Sequence, residues 1–292
     1  MKSVRFALAA GLVLASMSAW AYTPGAGITG SAHDWSSTAT SSTSGGTTVL
    51  LWSDGKGGST QDSSITGQVW IDPTTGAQGT THITIGQCTK CHTPHQAKSV
   101  NLLWNHTLNT ATYKWDDPAT TAGTSYATFK GDTYKGPTPK CLSCHDGSVA
   151  STDGVWFNRT MIKGSAHAPT PGQIDSHDVV SATGNMAGTH PVAMPYPLNG
   201  ASSTYNLVTN GGETNFSDWV ANPKLLGIRL FNDDGSGHIT AGPVPGKTGI
   251  ECSSCHDVHN GSRVKDSFLV TGKISGNDRS AGGYICTQCH QK

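Results

Sequence analysis

The chain has little charge. Only 13% of its 292 residues are Asp, Glu, Lys or Arg, and 19 basic residues stand against 19 acidic ones. A sparse, balanced charge gives no basic footprint for nucleic acid. Long apolar runs are also missing beyond the N-terminus, so no later stretch is expected to span a bilayer. Regular aliphatic periodicity is scarce, which leaves a protein-only core thin for this length. Methionine is rare, and after the first 21 residues only Met161, Met186 and Met194 remain. Cysteine is absent everywhere except in four short units.

The one long apolar run lies at the start, in MKSVRFALAAGLVLASMSAWA. Lys2 and Arg5 precede an apolar stretch from Phe6 to about Met17, and Ala19-Trp20-Ala21 forms a small-x-small site. Residues 1–21 therefore read as a secretory signal, with cleavage expected before Tyr22. Loss of Lys2 and Arg5 leaves 17 basic against 19 acidic residues, a net of −2. The remaining chain, 22–292, is expected to be secreted, extracellular or at the cell surface, with the periplasm as the alternative address. No cysteine follows the cleavage site, which argues against a lipoprotein anchor.

The eight cysteines form CTKCH at Cys88, CLSCH at Cys141, CSSCH at Cys252 and CTQCH at Cys286. In an oxidising compartment paired thiols ordinarily become disulfides, but a disulfide scaffold has no use for a histidine after every pair. Recurrent Cys-x-x-Cys-His is the attachment signature of c-type haem. Residues three apart share a helical face, so Cys88 and Cys91, Cys141 and Cys144, Cys252 and Cys255, and Cys286 and Cys289 can each hold one macrocycle edge. His92, His145, His256 and His290 then become proximal iron ligands. Zinc is the structural alternative, since two such pairs supply four sulfurs, but sulfur-only zinc sites do not require the histidines. Four haem c groups are expected, and these apolar plates would fill the deficit left by the thin core.

The four units fall into two doublets, Cys88–His145 and Cys252–His290. The first unit of each carries an additional histidine, His95 or His259, one helical turn beyond the proximal one. From there a ring cannot easily reach round to the far face of the same iron, but it can reach a different haem packed alongside. Four irons need four distal ligands if all are six-coordinate. His95, His106 in LLWNH, His190 in AGTHPV and His259 are the favoured candidates, with His33 in GSAHDW as a fifth. His82, His167, His177 and His238 read as ordinary surface or satisfied histidines. Bis-histidine ligation leaves no open coordination site and lowers the potential relative to methionine ligation. The chain is then an electron carrier without a catalytic site.

Most of the chain is expected to be irregular loop with short helices and few small strands, organised as one tetrahaem cytochrome c domain around four covalently bound haems. Residues 22–87 are rich in Ser, Thr and Gly, and SSTATSSTSGGTT reads as a solvated loop. TTVLLW and ITGQVWI are candidate short strands. Residues 88–145 carry the first haem pair, 146–251 form a loop-rich connection dense in Gly, Pro and Asn, and 252–292 carry the second pair.

ITGSAHDWS, CTKCHTPHQA, LLWNH, CLSCHDGSVA, GTHPVAMPY, ECSSCHDVHN and ICTQCHQK follow one another in the order seen in paired-CXXCH multihaem cytochromes. The chain resembles the tetrahaem extracellular filament (nanowire) cytochromes of metal-reducing bacteria. The resemblance implies bis-histidine haems stacked in pairs. It also implies partnership with other copies of the chain in a head-to-tail filament, with intersubunit haem ligation, and exchange with redox-partner cytochromes or extracellular acceptors. Five histidine contexts resemble family ligands, one more than four haems need, and the long Ser/Thr-rich stretch between His33 and Cys88 departs from the family pattern. A soluble periplasmic electron shuttle shares every haem motif. A multihaem oxidoreductase with one open haem is the enzymatic alternative, but no unit replaces its histidine by lysine.

Overall fold

A computed structural model describes residues 101–115, 128–147, 184–209 and 215–291 continuously. Thr23–Ile28, Ser31, His33, Cys88, residues 91–93, Ala97, Val179 and Val180 are also described, as is the backbone of several short strands. The expected signal segment, most of the Ser/Thr-rich stretch, and His82, His95, His167 and His177 lie outside the described residues.

Two of these strand groups are described as backbone only. Thr40–Ser44, Thr47–Ser53 and Ser59–Asp62 form a three-stranded antiparallel sheet, and the middle strand contains TTVLLW. Trp70–Ile71, the end of ITGQVWI, pairs with Gln78–Gly79 and Arg159–Met161, and the latter pairs in turn with Val155–Trp156. Among the described residues, no helix is long and apolar enough to cross a membrane.

The remaining architecture is set by turns and by two apolar clusters. Thr112–Tyr113 pairs antiparallel with Phe129–Lys130, which stacks Tyr113 on Phe129 with centroids 5.1 Å apart. These rings join Trp115, Leu142, Met186, Val192 and Ala193 in the first cluster. Helix α1 (Thr138–His145) follows at once. Pro137 sits at its N-cap and Pro139 in its first turn, where a missing N–H costs no hydrogen bond. Leu142 points from α1 into the cluster, so the cysteines of CLSCH ride on a helix anchored from below.

Met194 follows Ala193 directly and starts the second cluster, with Tyr196, Leu198, Ile228, Leu230 and Ile250. Met194–Pro195, Thr248–Ile250, Phe231–Asp233 and Ile239–Ala241 form a four-stranded antiparallel sheet in that order. Burying each of these large side chains is worth about 1.5–3 kcal/mol. A tight ribbon, Thr204–Tyr205 with Val208–Thr209, turns through Asn206 and Leu207, both at positive φ, as a type I′ turn requires. It lays Tyr205 over Gly249, where a Cβ would sit 2.2 Å from the ring. Only glycine fits there. Strand Thr248–Ile250 then delivers Glu251 and helix α2 (Cys252–Cys255), whose start is closed by a reciprocal capping box between Glu251 and Ser254.

Candidate haem-binding sites

Two of the four Cys-x-x-Cys-His units are held by the same backbone device. His92 Nδ1 lies 2.6 Å from the Leu102 carbonyl, the Thr93 N–H donates to Leu103 O, and the Asn105 N–H donates to Cys91 O. In the third unit His256 Nδ1 lies 2.9 Å from the Phe268 carbonyl, the Asp257 N–H donates to Leu269 O, and the Thr271 N–H donates to Cys255 O. Each carbonyl belongs to a pair of left-handed residues, Leu102–Leu103 and Phe268–Leu269, with φ between 52° and 59°. Left-handed backbone costs a bulky L-residue energy, so the surrounding hydrogen bonds must enforce it. With Nδ1 bonded to a carbonyl, Nε2 is left as the outward donor atom of each imidazole. The fourth unit has a related clamp: the Val220 N–H donates to Cys289 O, and the Gln291 N–H donates to Asp218 O.

The rings so oriented meet other histidines. His92 faces His259 with centroids 6.4 Å apart and planes 21° from parallel. His145 faces His33 at 6.1 Å and 86°, and His290 faces His190 at 6.3 Å and 55°. Two imidazoles bound to one metal at about 2 Å per nitrogen place their centroids roughly 6 Å apart. Direct ring stacking is closer and a water-bridged surface pair has no reason to repeat one spacing. Three of the four proximal histidines thus have an opposing imidazole at the separation an axially ligated iron needs. Burial and the nearby His145, His256 and His259 push the His33 pKa down to about 4. That keeps its ring neutral, the form that binds metal. Its Nδ1 is buried without a hydrogen-bond partner among the described residues. His190 is steadied by its own Nδ1, 2.8 Å from Pro191 O.

Two residues that clamp these imidazoles leave large apolar side chains exposed. Leu102 is 60% exposed and Phe268 70%, and they belong to the residues whose carbonyls hold His92 and His256. Large apolar side chains left open beside outward-facing imidazoles suit an apolar plate that carries a metal at its centre. The donor set, the ring spacing and this rim therefore fit haem. Cys88 and Cys286 are exposed, and Cys91, Cys141, Cys144, Cys252, Cys255 and Cys289 are half-buried.

The third unit is the hub. Cys252 packs on the first apolar cluster beside Cys141 of the second unit. Cys255 packs on the second cluster beside Cys289, and burial pushes the Cys255 thiol up to about 12. His259, on the same segment, faces His92. One stretch of eight residues, 252–259, therefore lies beside the other three units. Glu251 ties α1 to α2 beneath it. Its buried carboxylate accepts from the Tyr134 and Tyr205 hydroxyls, from the Thr138 hydroxyl, and from the Thr138 N–H at 3.3 Å. Burial raises its pKa, and those donors pull it back only in part.

Other candidates fall elsewhere. His106 is buried and packs edge-on against Trp104 at 5.7 Å, and Trp104 packs edge-on against His92 at 5.8 Å. Among the described residues, His256 faces no second histidine ring. His238 is exposed beside Asp234, 3.8 Å away. Met186 and Met194 are buried in the two apolar clusters. Sequence reasoning missed Glu251, Tyr134 and Tyr205, which carry no motif. It also missed the carbonyl clamps, whose one trace is a polar residue followed by three apolar ones after the proximal histidine (NLLW, SFLV). No protein-family model matches this chain, and no curated protein matches it either.

Proposed function

We propose that this chain is a tetrahaem c-type cytochrome that carries electrons, with Cys88/Cys91, Cys141/Cys144, Cys252/Cys255 and Cys286/Cys289 as attachment points. The observation that carries the reading is the repeated histidine pair: three proximal residues each oppose a histidine distant in sequence at 6.1–6.4 Å. When bound, haem supplies reversible one-electron chemistry at iron. The chain's own residues set its conditions. His92 with His259, His145 with His33 and His290 with His190 would each hold one iron between two imidazoles, which would disfavour small-molecule binding and keep the potential low. The carbonyls of Leu102 and Phe268 orient His92 and His256. Segment 252–259 lies beside the other three Cys-x-x-Cys-His units, which supports close spacing between successive carriers.

This reading includes export, through the N-terminal signal, and an extracellular address at which other copies of the chain and redox-partner cytochromes or extracellular acceptors are the partners. Head-to-tail filaments with a ligand shared across the subunit boundary belong to the same proposal. His95 and His106 are the remaining candidates for the face opposite His256. The test is the native protein isolated from a host with a haem-attachment system. Mass spectrometry should show four covalent haems, and ferric and ferrous spectra should be low-spin throughout. A resting high-spin fraction that shifts on adding nitrite or hydroxylamine would replace the carrier reading with an oxidoreductase. Electron microscopy of shed material separates fibres from monomers.

A further inference from the structure

We propose that Asn260 is the positioning residue that delivers His33 to its site, by latching the N-terminal strap against the loop that carries His259. The inference rests on the haem reading above and deepens it. Asn260 is fully buried, in left-handed backbone at φ 50°, immediately after His259. Its side chain bonds a segment more than 230 residues away in sequence. Nδ2 donates to Thr23 O at 3.0 Å and to Gly27 O at 2.6 Å, while Oδ1 accepts from the Gly25 N–H at 2.8 Å. The Asn260 carbonyl accepts from the Gly27 N–H at 2.8 Å. Four hydrogen bonds thus join one residue to three alternate strap positions, Thr23, Gly25 and Gly27. Gly25 runs at φ 78° against the 261–264 turn, where even a Cβ would meet Val264 O at 3.3 Å.

From Gly27 the strap needs only six residues to reach His33. Ser31 is buried, its N–H donates to Ile28 O, and its hydroxyl accepts from the His33 N–H at 3.2 Å. The path is pinned at both ends, and His33 arrives 6.1 Å from His145. An N-terminal segment without regular structure would otherwise lose considerable entropy on each ordering event, so ligand delivery needs an anchor. Asparagine suits the position because it tolerates left-handed backbone and offers a donor and an acceptor together. Since His259 precedes it, one residue sets the distal side of two sites, His145 through the strap and His92 through its neighbour.

The test uses the full-length holoprotein with Asn260→Gly, which keeps the left-handed backbone and removes only the side chain. The mutual angle of two axial imidazoles sets the low-spin ferric signal. The 86° pair at His145 and the 21° pair at His92 should therefore give separate resonances in electron paramagnetic resonance. Asn260→Gly should lose the signal of the perpendicular pair, about one quarter of the low-spin intensity for one site in four. The reduced variant should bind carbon monoxide at one site per chain, matching a His33→Ala reference. Retention of every low-spin signal, with no carbon monoxide binding, overturns the latch. If Asn260→Gly yields no holoprotein, Asn260→Asp decides: it keeps the acceptor for Gly25 and loses both Nδ2 donations. Partial loss of the same signal supports the latch, and an unchanged spectrum overturns it. Failure of the underlying reading is distinguishable, because wild-type protein would then carry no haem or His33→Ala would change no signal.

Discussion

Replacing Glu251 should show how much of the molecule hangs on one buried carboxylate. In Glu251→Ala the hydroxyls of Tyr134, Tyr205 and Thr138 and the Thr138 N–H lose their acceptor. A buried donor left unmet costs about 1–3 kcal/mol, and some of the four will find water or each other. The lost capping box at α2 adds about 1 kcal/mol. A net destabilisation of about 4 kcal/mol follows, which for a chain of this size lowers Tm by roughly 10 °C. Glu251→Gln keeps the shape and one of the two acceptor oxygens, so either the tyrosine pair or the Thr138 donors keep their acceptor, and its cost should be about 2 kcal/mol, smaller than that of alanine. The same pair of variants tests linkage. Burial raises the folded pKa of Glu251 above its unfolded value, so the folded state holds the proton more tightly. This group's contribution is fully present below the unfolded pKa and is lost as pH rises through the folded one. Denaturation of the wild-type holoprotein, followed by visible absorbance from pH 4 upward, should show that loss, and Glu251→Gln should be flatter across the window. Equal pH profiles for the two proteins, or an alanine variant as stable as wild type, would refute the reasoning.

Gly249→Ala places a methyl 2.2 Å from the Tyr205 ring and should expel that ring from Glu251, costing about 3 kcal/mol in thermal unfolding. His190→Ala should convert the haem at His290 to a high-spin, carbon-monoxide-binding form, read in the reduced spectrum. His238→Ala should leave every spectrum and the unfolding temperature unchanged, because its side chain is exposed beside Asp234. Phe268→Gly keeps the carbonyl that holds His256 and relieves about 1 kcal/mol of left-handed backbone cost. Its low-spin spectrum should persist. Conversion to high spin would show that the side chain, not the carbonyl, orients the ring.

The Cys-x-x-Cys-His units are legible because their signal is local: two cysteines and a histidine within five residues. The His92–His259 neighbourhood was partly legible, since a histidine one turn beyond His256 can reach a different unit. The pairing of His33 with His145 was not. It depends on a strap whose anchor, Asn260, lies at the other end of the chain and matches no motif. The clamps on His92 and His256 were hidden for a different reason. They are made by main-chain atoms, to which Leu102 and Phe268 contribute only an unfavourable conformation. The Glu251 knot was equally silent, because a lone glutamate before CSSCH reads as surface charge until Tyr134 and Tyr205 are seen to converge on it. TTVLLW announced its strand through β-branched and aromatic content, whereas two-residue pairings such as Met194–Pro195 with Gly249–Ile250 have no periodicity to read.

The most direct measurement is intact-mass and visible-absorbance analysis of the protein purified from a haem-attaching host. The account predicts a red protein carrying four covalently attached haems, with low-spin spectra in both oxidation states. A colourless product, or one whose eight thiols are titratable or joined to one another in disulfides, would contradict it.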